Sequence, residues 1–451
     1  MRVCTTARAA AKTTAVVPAV LALALVPAML LPVGSPRVGA AGPQSPRRLW
    51  VLHEPDAITE YDVTTFAARQ TVKAPRRLVE HPEYLSINAR GQMVFLPPAG
   101  AHWAGGDMAL YGDRVWFWDG RQAREWNVEE FATRGVSGGE PAVTDTARQW
   151  FLSAGGESLF WFENRFEYRS EKRAPDSGPQ RSVRSTARVW RTDLSGGRPE
   201  DVATFSASGW CRCETGACEE TCPEWEVWVP DGIVSDFFLA TRVTQGQLQA
   251  AYHETLLYRP SGPAWQARKL PQVVERFLAA SARGDMLVAA VPDGGCCGWD
   301  NEGIDQLMML RNGKVSVLYD EAERYRNRNY DVSFYPSDAG FAPGGSMLAY
   351  TIVSTAGADT QIRLSSAGKD DAEERGRIRT AIAGLPAVEV VQLDSPSRPA
   401  AVIPRAGLVG WLTDRELLVA RDGLLAVCDN RGNASTATPI RVRTAADAFL
   451  R

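Results

Sequence analysis

Two short stretches hold most of the residues that could do chemistry. The first is Asp293-Gly-Gly-Cys-Cys-Gly-Trp-Asp-Asn-Glu-Gly-Ile-Asp305, with adjacent Cys296 and Cys297 followed by Trp299, Asp300, Asn301, Glu302 and Asp305. The second is Trp210-Cys-Arg-Cys-Glu-Thr-Gly-Ala-Cys-Glu-Glu-Thr-Cys222, with Cys211, Cys213, Cys218 and Cys222. Thiols this dense have three chemistries open to them: disulfides, a thiolate zinc centre, or a redox switch. Zinc shells of four cysteines are usually built from paired C-x2-C knuckles. The spacing C-x-C-x4-C-x3-C departs from that pattern. The six cysteines are therefore read as disulfide candidates, whose connectivity the sequence does not define. Cys296 and Cys297 either bond each other in a vicinal ring or reach the second cluster. Asp300, Glu302 and Asp305 carry oxygen donors suited to Ca²⁺, without the ligand spacing of an EF-hand loop. The expectation is no cofactor, with calcium the alternative.

Catalytic motifs are missing from the sequence. The four histidines, His53, His81, His102 and His253, show no H-E-x-x-H spacing. No G-x-S-x-G elbow or phosphate-binding glycine loop follows a strand-like run. No catalytic residue is assigned. An enzyme remains the alternative reading, a hydrolase or lyase on peptide or glycan built from scattered carboxylates. The fourteen tryptophans suggest sugar binding as another. Trp116, Trp118, Trp161, Trp190 and Trp228 alternate with other residues in strand-like runs, however, which is what packing between sheets requires.

Compartment decides between thiol chemistries. Arg2, Arg8 and Lys12 precede an apolar run, Ala15 to Val33, and then small residues including Gly39, Ala40 and Ala41. That order reads as a signal peptide over residues 1–41, followed by a short linker at 42–47. If uncleaved, the same segment is a membrane anchor, and membrane contact is expected through it alone. The mature protein is expected to be secreted or periplasmic, where cysteines pair. Cys4 leaves with the leader, so one thiol stays unpaired, and Cys428 in the apolar run Leu424–Cys428 is the candidate. A net charge of −3 gives no overall attraction to nucleic acid.

The rest of the chain, 48–451, is read as one all-β domain. Short runs of β-branched, aromatic and aliphatic residues alternate with turn signals throughout. The clearest unit is 275–319, where Asn312-Gly313 joins two apolar runs, the strongest short hairpin signal. Similar units are read at about 48–74, 83–127, 149–205, 224–270, 338–393 and 407–443. Each places two runs about a tight turn, as at Ala89-Arg90-Gly91, Asp231-Gly232, Pro343-Gly344-Gly345 and Thr413-Asp414-Arg415. Four-stranded units repeated in series describe a β-propeller, here of seven blades with six as the alternative. The first unit has only three strand-like runs, so a C-terminal run, either Ile440–Arg443 or the tail beyond it, is expected to complete it. Insertions are read at 169–188, 206–223, 293–303 and 366–386. The last includes the charged stretch Asp370–Ile382, the one candidate helix, read as a surface insertion.

Ala339-Gly-Phe-Ala-Pro-Gly-Gly-Ser-Met-Leu-Ala-Tyr350 resembles the WD40-like repeat of TolB-type propellers, with an aromatic, a Ser-Pro-Asp-Gly-like turn and an apolar strand. Pro230-Asp231-Gly232 and Asn88-Ala-Arg-Gly-Gln-Met-Val-Phe95 resemble it more loosely. The resemblance implies a periplasmic propeller that serves as a platform for protein partners, and it brings no catalytic residues with it.

In a propeller blade the strands run A to D from the channel outward. B–C and D–A connections emerge on one face, and A–B and C–D turns on the other. This sorting sends both cysteine clusters, the arginine-rich segment Arg169–Arg188 and the segment with Arg324, Arg326 and Arg328 to one face. The partner-binding face is therefore expected to include Trp210, Trp299, Asp300, Asn301, Glu302, Arg324 and Arg326. The partner is expected to be a protein or another macromolecule, not nucleic acid.

Overall fold

Four antiparallel strands in simple succession are the repeating unit of this protein. The computed structural model describes residues 47–53, 57–73, 85–87, 90–95, 114–127, 144–152, 158–171, 180–193, 199–212, 225–234, 237–245, 250–261, 264–271, 273–274, 276–281, 286–290, 306–311, 314–324, 332–356, 362, 371–396 and 398–450. Among the described residues the strands form seven four-stranded sheets. Sheet 1 contains β1 (Leu49–His53), β2 (Ala57–Tyr61) and β3 (Ala68–Lys73). Sheet 2 is β4–β7 (Leu85–Ile87, Met93–Phe95, Arg114–Trp118, Ala123–Asn127). Sheet 3 is β8–β11 (Thr144–Leu152, Ser158–Glu171, Gln180–Asp193, Glu200–Arg212). Sheet 4 is β12–β15 (Trp225–Val234, Phe237–Gln245, Ala250–Ser261, Ala264–Lys269). Sheet 5 is β16–β19 (Arg276–Ala280, Met286–Ala290, Gln306–Arg311, Lys314–Asp320). Sheet 6 is β20–β23 (Phe334–Phe341, Met347–Ser354, Ala387–Gln392, Ala401–Pro404). Sheet 7 is β24–β27 (Ala406–Trp411, Glu416–Arg421, Leu424–Asp429, Ala434–Arg441). In sheets 2 to 7 strand order follows chain order.

Sheet 1 differs. Its order is β28-β1-β2-β3, and β28 (Ala448–Leu450) comes from the far end of the chain. Trp50 pairs with Phe449 and Val51 with Ala448. Of the two sequence candidates, the tail beyond Arg443 supplies the strand, because Ile440 and Arg441 are already the end of β27. A short 3₁₀ turn, Ala445–Asp447, redirects the chain between them. Asp447 is buried there, accepting from the Arg443 guanidinium at 2.8 Å and from the backbone N–H of Thr444 at 3.1 Å. Those bonds compensate the desolvation of its carboxylate.

Successive sheets bury side chains against each other. Trp50 and Ile58 of sheet 1 share a core with Ile87 and Met93 of sheet 2. β4 and β5 contact β8. Phe205 of sheet 3 stacks on Trp228 of sheet 4 at 5.1 Å, and Phe238 stacks on Tyr258 at 4.6 Å. Leu239 and Leu257 meet Met308 and Leu310 of sheet 5. Tyr319 of sheet 5 packs with Phe334 and Tyr350 of sheet 6, and Val388 and Ile403 of sheet 6 pack with Trp411 and Leu417 of sheet 7. Leu418 and Leu425 of sheet 7 return to Leu49 and Val51 of sheet 1. Four-stranded sheets packed face to face, with the last returning to the first, are a β-propeller. These residues all belong to one compact unit, Ser45–Arg451.

Turns repeat as well. Asp62, Asp119 and Asp429 each end the third strand of a sheet or follow a strand directly, and each accepts two backbone N–H groups of the following turn at 2.8 to 3.0 Å. An aspartate there shapes the hairpin by replacing backbone partners with its own oxygen.

Four sequence expectations are corrected. The two flanks of the segment Arg169–Arg188 are strand and not loop: β9 runs through Glu171 and β10 starts at Gln180, with Arg169 opposite Ser182, while 172–179 lie outside the described residues. Its charges read as loop, yet Arg165, Glu167 and Arg169 alternate with Phe166 and Tyr168 at the period of a strand. The insertion read at 206–223 begins inside β11, which continues to Arg212. Asp231-Gly232 is not a turn but an irregularity within β12, where the register shifts between Asp231 and Ile233. Finally, the charged stretch before residue 386 does form a helix, α2 (Ala372–Ala383), after the single-turn α1 (Glu321–Arg324) earlier in the chain. Asp371 caps α2 through Glu373 N–H at 2.9 Å. It is more than a surface insertion, because Ile378 and Ile382 are buried in the core shared by sheets 5 and 6.

Deleting Ala448–Arg451 removes the inner strand of sheet 1 and exposes Trp50 and Val51. Thermal unfolding of the truncated protein should show a Tm lower by about 5 °C or more. An unchanged Tm would mean that β28 does not hold the first sheet to the last.

Candidate functional site

In each sheet the second-to-third connection and the exit from the fourth strand leave from the same end. At that end, between sheets 5 and 6, the described residues bring together one polar cluster. Its base is the register of sheet 6, where Tyr350 on β21 lies directly opposite Glu389 on β22. Both are buried, and the Tyr350 hydroxyl donates to Oε2 of Glu389 at 2.8 Å. Arg324, the last residue of α1, reaches across from the sheet 5 side. Its Nη1 donates to the same oxygen at 2.6 Å. The guanidinium also lies over the ring of Tyr319, 5.3 Å from its centroid. Glu389 has a side chain 7% exposed, against 30% for Arg324, so the carboxylate is inside and the cation at the mouth.

Neighbouring bonds hold the frame. Tyr319 donates its hydroxyl to the Phe334 carbonyl at 2.7 Å, and the Phe334 N–H donates to Glu321 Oε1 at 2.7 Å. Glu321, buried in the first turn of α1, thereby ties that helix to the start of β20. Burial first, then the charge of Glu389 and their hydrogen bond, push the Tyr350 hydroxyl far above the usual phenol range. It stays protonated and serves as a donor. A carboxylate oxygen occupied by both a phenol and a guanidinium is a clamp between blades, rather than a general base awaiting a substrate.

The expected partner-binding residues meet different outcomes. Arg324 is in the cluster just described. Trp210 and Cys211 lie in β11, where Ser182 and Arg181 are their strand partners. Cys213, Cys218, Cys222, Cys296, Cys297, Trp299, Asp300, Asn301, Glu302, Asp305 and Arg326 lie outside the described residues; of the disulfide candidates only Cys211 lies within them. Among the described residues no three His, Cys, Asp or Glu side chains gather as metal ligands, and no helix is long and apolar enough to cross a membrane. Glu389 and Tyr350 escaped the sequence reading because they are distant in the chain from Arg324. The one available signal was a glutamate inside the apolar run Ala387–Val391.

Cys428 is buried on β26 as a free thiol. Burial pushes its pKa up, with the positive charge of Arg421 opposing the shift and Asp429 adding to it. The thiolate is the reactive form, so this group is shielded twice.

No protein-family model matches the chain, and no curated protein matches it. Among solved structures it is similar to apo AztD from Citrobacter koseri, at 11% identity over 88% of this chain and 95% of that one, with a TM-score of 0.38. It is also similar to the β-propeller domain of the Trilobed protease from Pyrococcus furiosus, at 11% identity over 84% and 86%, with a TM-score of 0.34. The acylaminoacyl peptidase of Pyrococcus horikoshii matches at 9% identity over 85% of this chain but 48% of its own, with a TM-score of 0.37. The propeller architecture rests on the strand order and the cores shared by successive sheets.

Removing the Tyr350 hydroxyl as Phe should cost about 1.5–2 kcal/mol in denaturant unfolding, the value of a hydrogen bond to a charged group. Glu389→Leu leaves a partly buried guanidinium without that partner and should cost about 3 kcal/mol. A phenol held above its unfolded pKa contributes stability that is present below that value and lost above it. Wild-type stability should therefore fall more steeply above about pH 10 than that of Tyr350→Phe. For Cys428, alkylation followed by peptide mapping should label the thiol only after denaturation; labelling of the native protein would contradict the burial.

Proposed function

We propose that this chain is an exported, seven-bladed propeller of the TolB type, stapled by disulfides, that binds a protein or other macromolecular partner. The face bearing its long connections is the binding surface. The observation carrying this reading is how connection lengths divide between the two ends of the sheets. The longest connections, 74–84, 96–113, 128–143, 213–224, 291–305, 325–333 and 355–386, are all second-to-third connections or sheet-to-sheet exits, although short ones such as 246–249 and 422–423 leave from that end too. At the opposite end the connections are short, such as 88–92, 119–122, 235–236, 312–313 and 412–415. Long connections cost conformational entropy on folding, and a rigid scaffold that collects them at one end is the usual arrangement for recognition.

The N-terminal basic and apolar segment supports export, and the oxidising compartment that export implies supports disulfides among Cys211, Cys213, Cys218, Cys222, Cys296 and Cys297. The clamp of Tyr350, Glu389 and Arg324 favours binding over catalysis at its own position, because its carboxylate is already occupied.

Two measurements test the reading. Non-reducing peptide mapping of the mature protein should recover those six cysteines as cystine peptides and Cys428 as a thiol. Biotinylated protein, labelled through a single cysteine introduced at Ser316 on the outer strand β19, serves as bait in extracts of the producing cells. Partner capture should be lost when a bulky tag is inserted after Gly294 or after Gly216, and kept when the tag sits in the 312–313 turn. Capture that survives the first pair and fails with the last would place binding on the other face and sink the proposal.

A further inference from the structure

Sheet 7 carries a row of arginines at the end from which its second-to-third turn, Asp422-Gly423, leaves; in other sheets this end carries the long connections. Pairing places Ala406 opposite Arg421, Arg421 opposite Leu424, and Leu424 opposite Arg441, so these four positions form one row across the four strands. Arg405 immediately precedes the first of them. The turn Asp422-Gly423 lies beyond Arg421, and Val442-Arg443 beyond Arg441. Together these positions hold four arginines and a single acidic residue, Asp422, in a chain of net charge −3. Arg443 is committed to Asp447 inside the 3₁₀ turn. The other three differ. Arg405 and Asp422 are open to solvent, with side chains 61% and 60% exposed and 4.0 Å apart, and Arg421 Nε lies 3.8 Å from the same carboxylate oxygen. One loosely held aspartate is shared by two guanidinium groups, and Arg441 is exposed at the end of the outer strand. The row therefore carries an excess of positive charge.

Arg405 adds a second observation. Its φ is +53°, the left-handed region that glycine adopts without the clash a side chain brings. Its backbone N–H donates to the Gly384 carbonyl at 2.9 Å, a bond that glycine would make equally well. Apart from its exposed, 4.0 Å ion pair with Asp422, the arginine side chain gives the fold nothing that glycine would not, and the backbone here is strained to carry it, a pattern associated with functional positions.

We propose that Arg405, Arg421 and Arg441 form a docking row for an acidic segment of a protein partner. This rests on the reading of the long-connection face as the binding surface, and it specifies the chemistry of what binds there. Adjacent strands are about 4.8 Å apart, so Arg405 and Arg421 are neighbours and Arg441 stands two strands further out. Carboxylates on alternate residues of an extended peptide repeat at about 6.6 Å, a spacing that long guanidinium side chains can follow. Guanidinium groups engage carboxylates in paired hydrogen bonds that fix geometry as well as charge. A long polyanion such as nucleic acid is disfavoured because the remainder of the chain is net negative.

The test uses the full mature protein and a fluorescein-labelled peptide of alternating glutamate and serine, read by anisotropy at low salt. Binding should occur, weaken as salt rises, and fall by about tenfold or more in the triple variant Arg405→Glu, Arg421→Glu, Arg441→Glu. Arg69→Glu, on a strand start at the opposite end, should bind as wild type. Arg405→Gly separates docking from folding, since its Tm should hold or rise while peptide binding weakens. Equal peptide binding by the triple variant and wild type, or no binding by wild type, overturns the inference. Tighter binding of a single-stranded oligonucleotide that the triple variant loses would also overturn it, in favour of a polyanion site. If partner capture by the tagged proteins behaves as expected while the triple variant captures normally, the binding face stands and the acidic-partner inference alone fails.

Discussion

A sheet of four strands has two broad faces and buries neither by itself. In this protein each face is covered by the next sheet, so every blade is stable only as a member of the series, and the series is stable only if its last sheet covers its first. Sheet 1 bears that requirement. Three of its strands come from the beginning of the described chain and one, Ala448–Leu450, from the end. Trp50 is fully buried between them and sheet 2, and Leu49 and Val51 face the core shared with sheet 7. Joining the two ends of the chain in one sheet converts a line of meanders into a closed structure with no exposed terminal face, removing the unpaired surface that an open array would present.

Polar groups are placed where this packing needs direction. Thr241 donates to the Val274 carbonyl and Thr255 accepts from the Val274 N–H, fixing the passage from sheet 4 to sheet 5. Trp411 donates to the Gly340 carbonyl, and Leu408 N–H donates to the Thr351 hydroxyl, registering sheet 7 on sheet 6. The Tyr350, Glu389 and Arg324 cluster does the same between sheets 5 and 6 with charge. Apolar contact is indifferent to small slides, whereas these bonds have a direction and a length. They set where each blade stands, and so where each connection begins.

Local signals were legible where the chemistry is local. Asn312-Gly313, Pro343-Gly344-Gly345 and Thr413-Asp414-Arg415 mark turns because their backbones need particular residues, and strands flank them as expected. The capped helix after Asp371 was visible for the same reason. Asp231-Gly232 misled because the same dipeptide serves a turn or an irregularity inside a strand, and only pairing with Phe238 and Leu239 decides which. In the hairpin through Arg169 and Arg184 the density of charge masks the strand alternation, which only the pairing of β9 with β10 makes plain.

By itself the sequence determined the unit: short apolar runs, tight turns, and cysteines and acidic residues gathered in the long connections. Each of these follows from backbone preference and from side-chain types close together in the chain. Tertiary structure decided which segment completes sheet 1, that Ile378 and Ile382 are core, and that Arg324 meets a glutamate and a tyrosine from another sheet. It also decided that Arg405, Arg421 and Arg441 share one rim. The reason is the pairing register, which is set by burial between sheets and relates residues with no local relation in the chain.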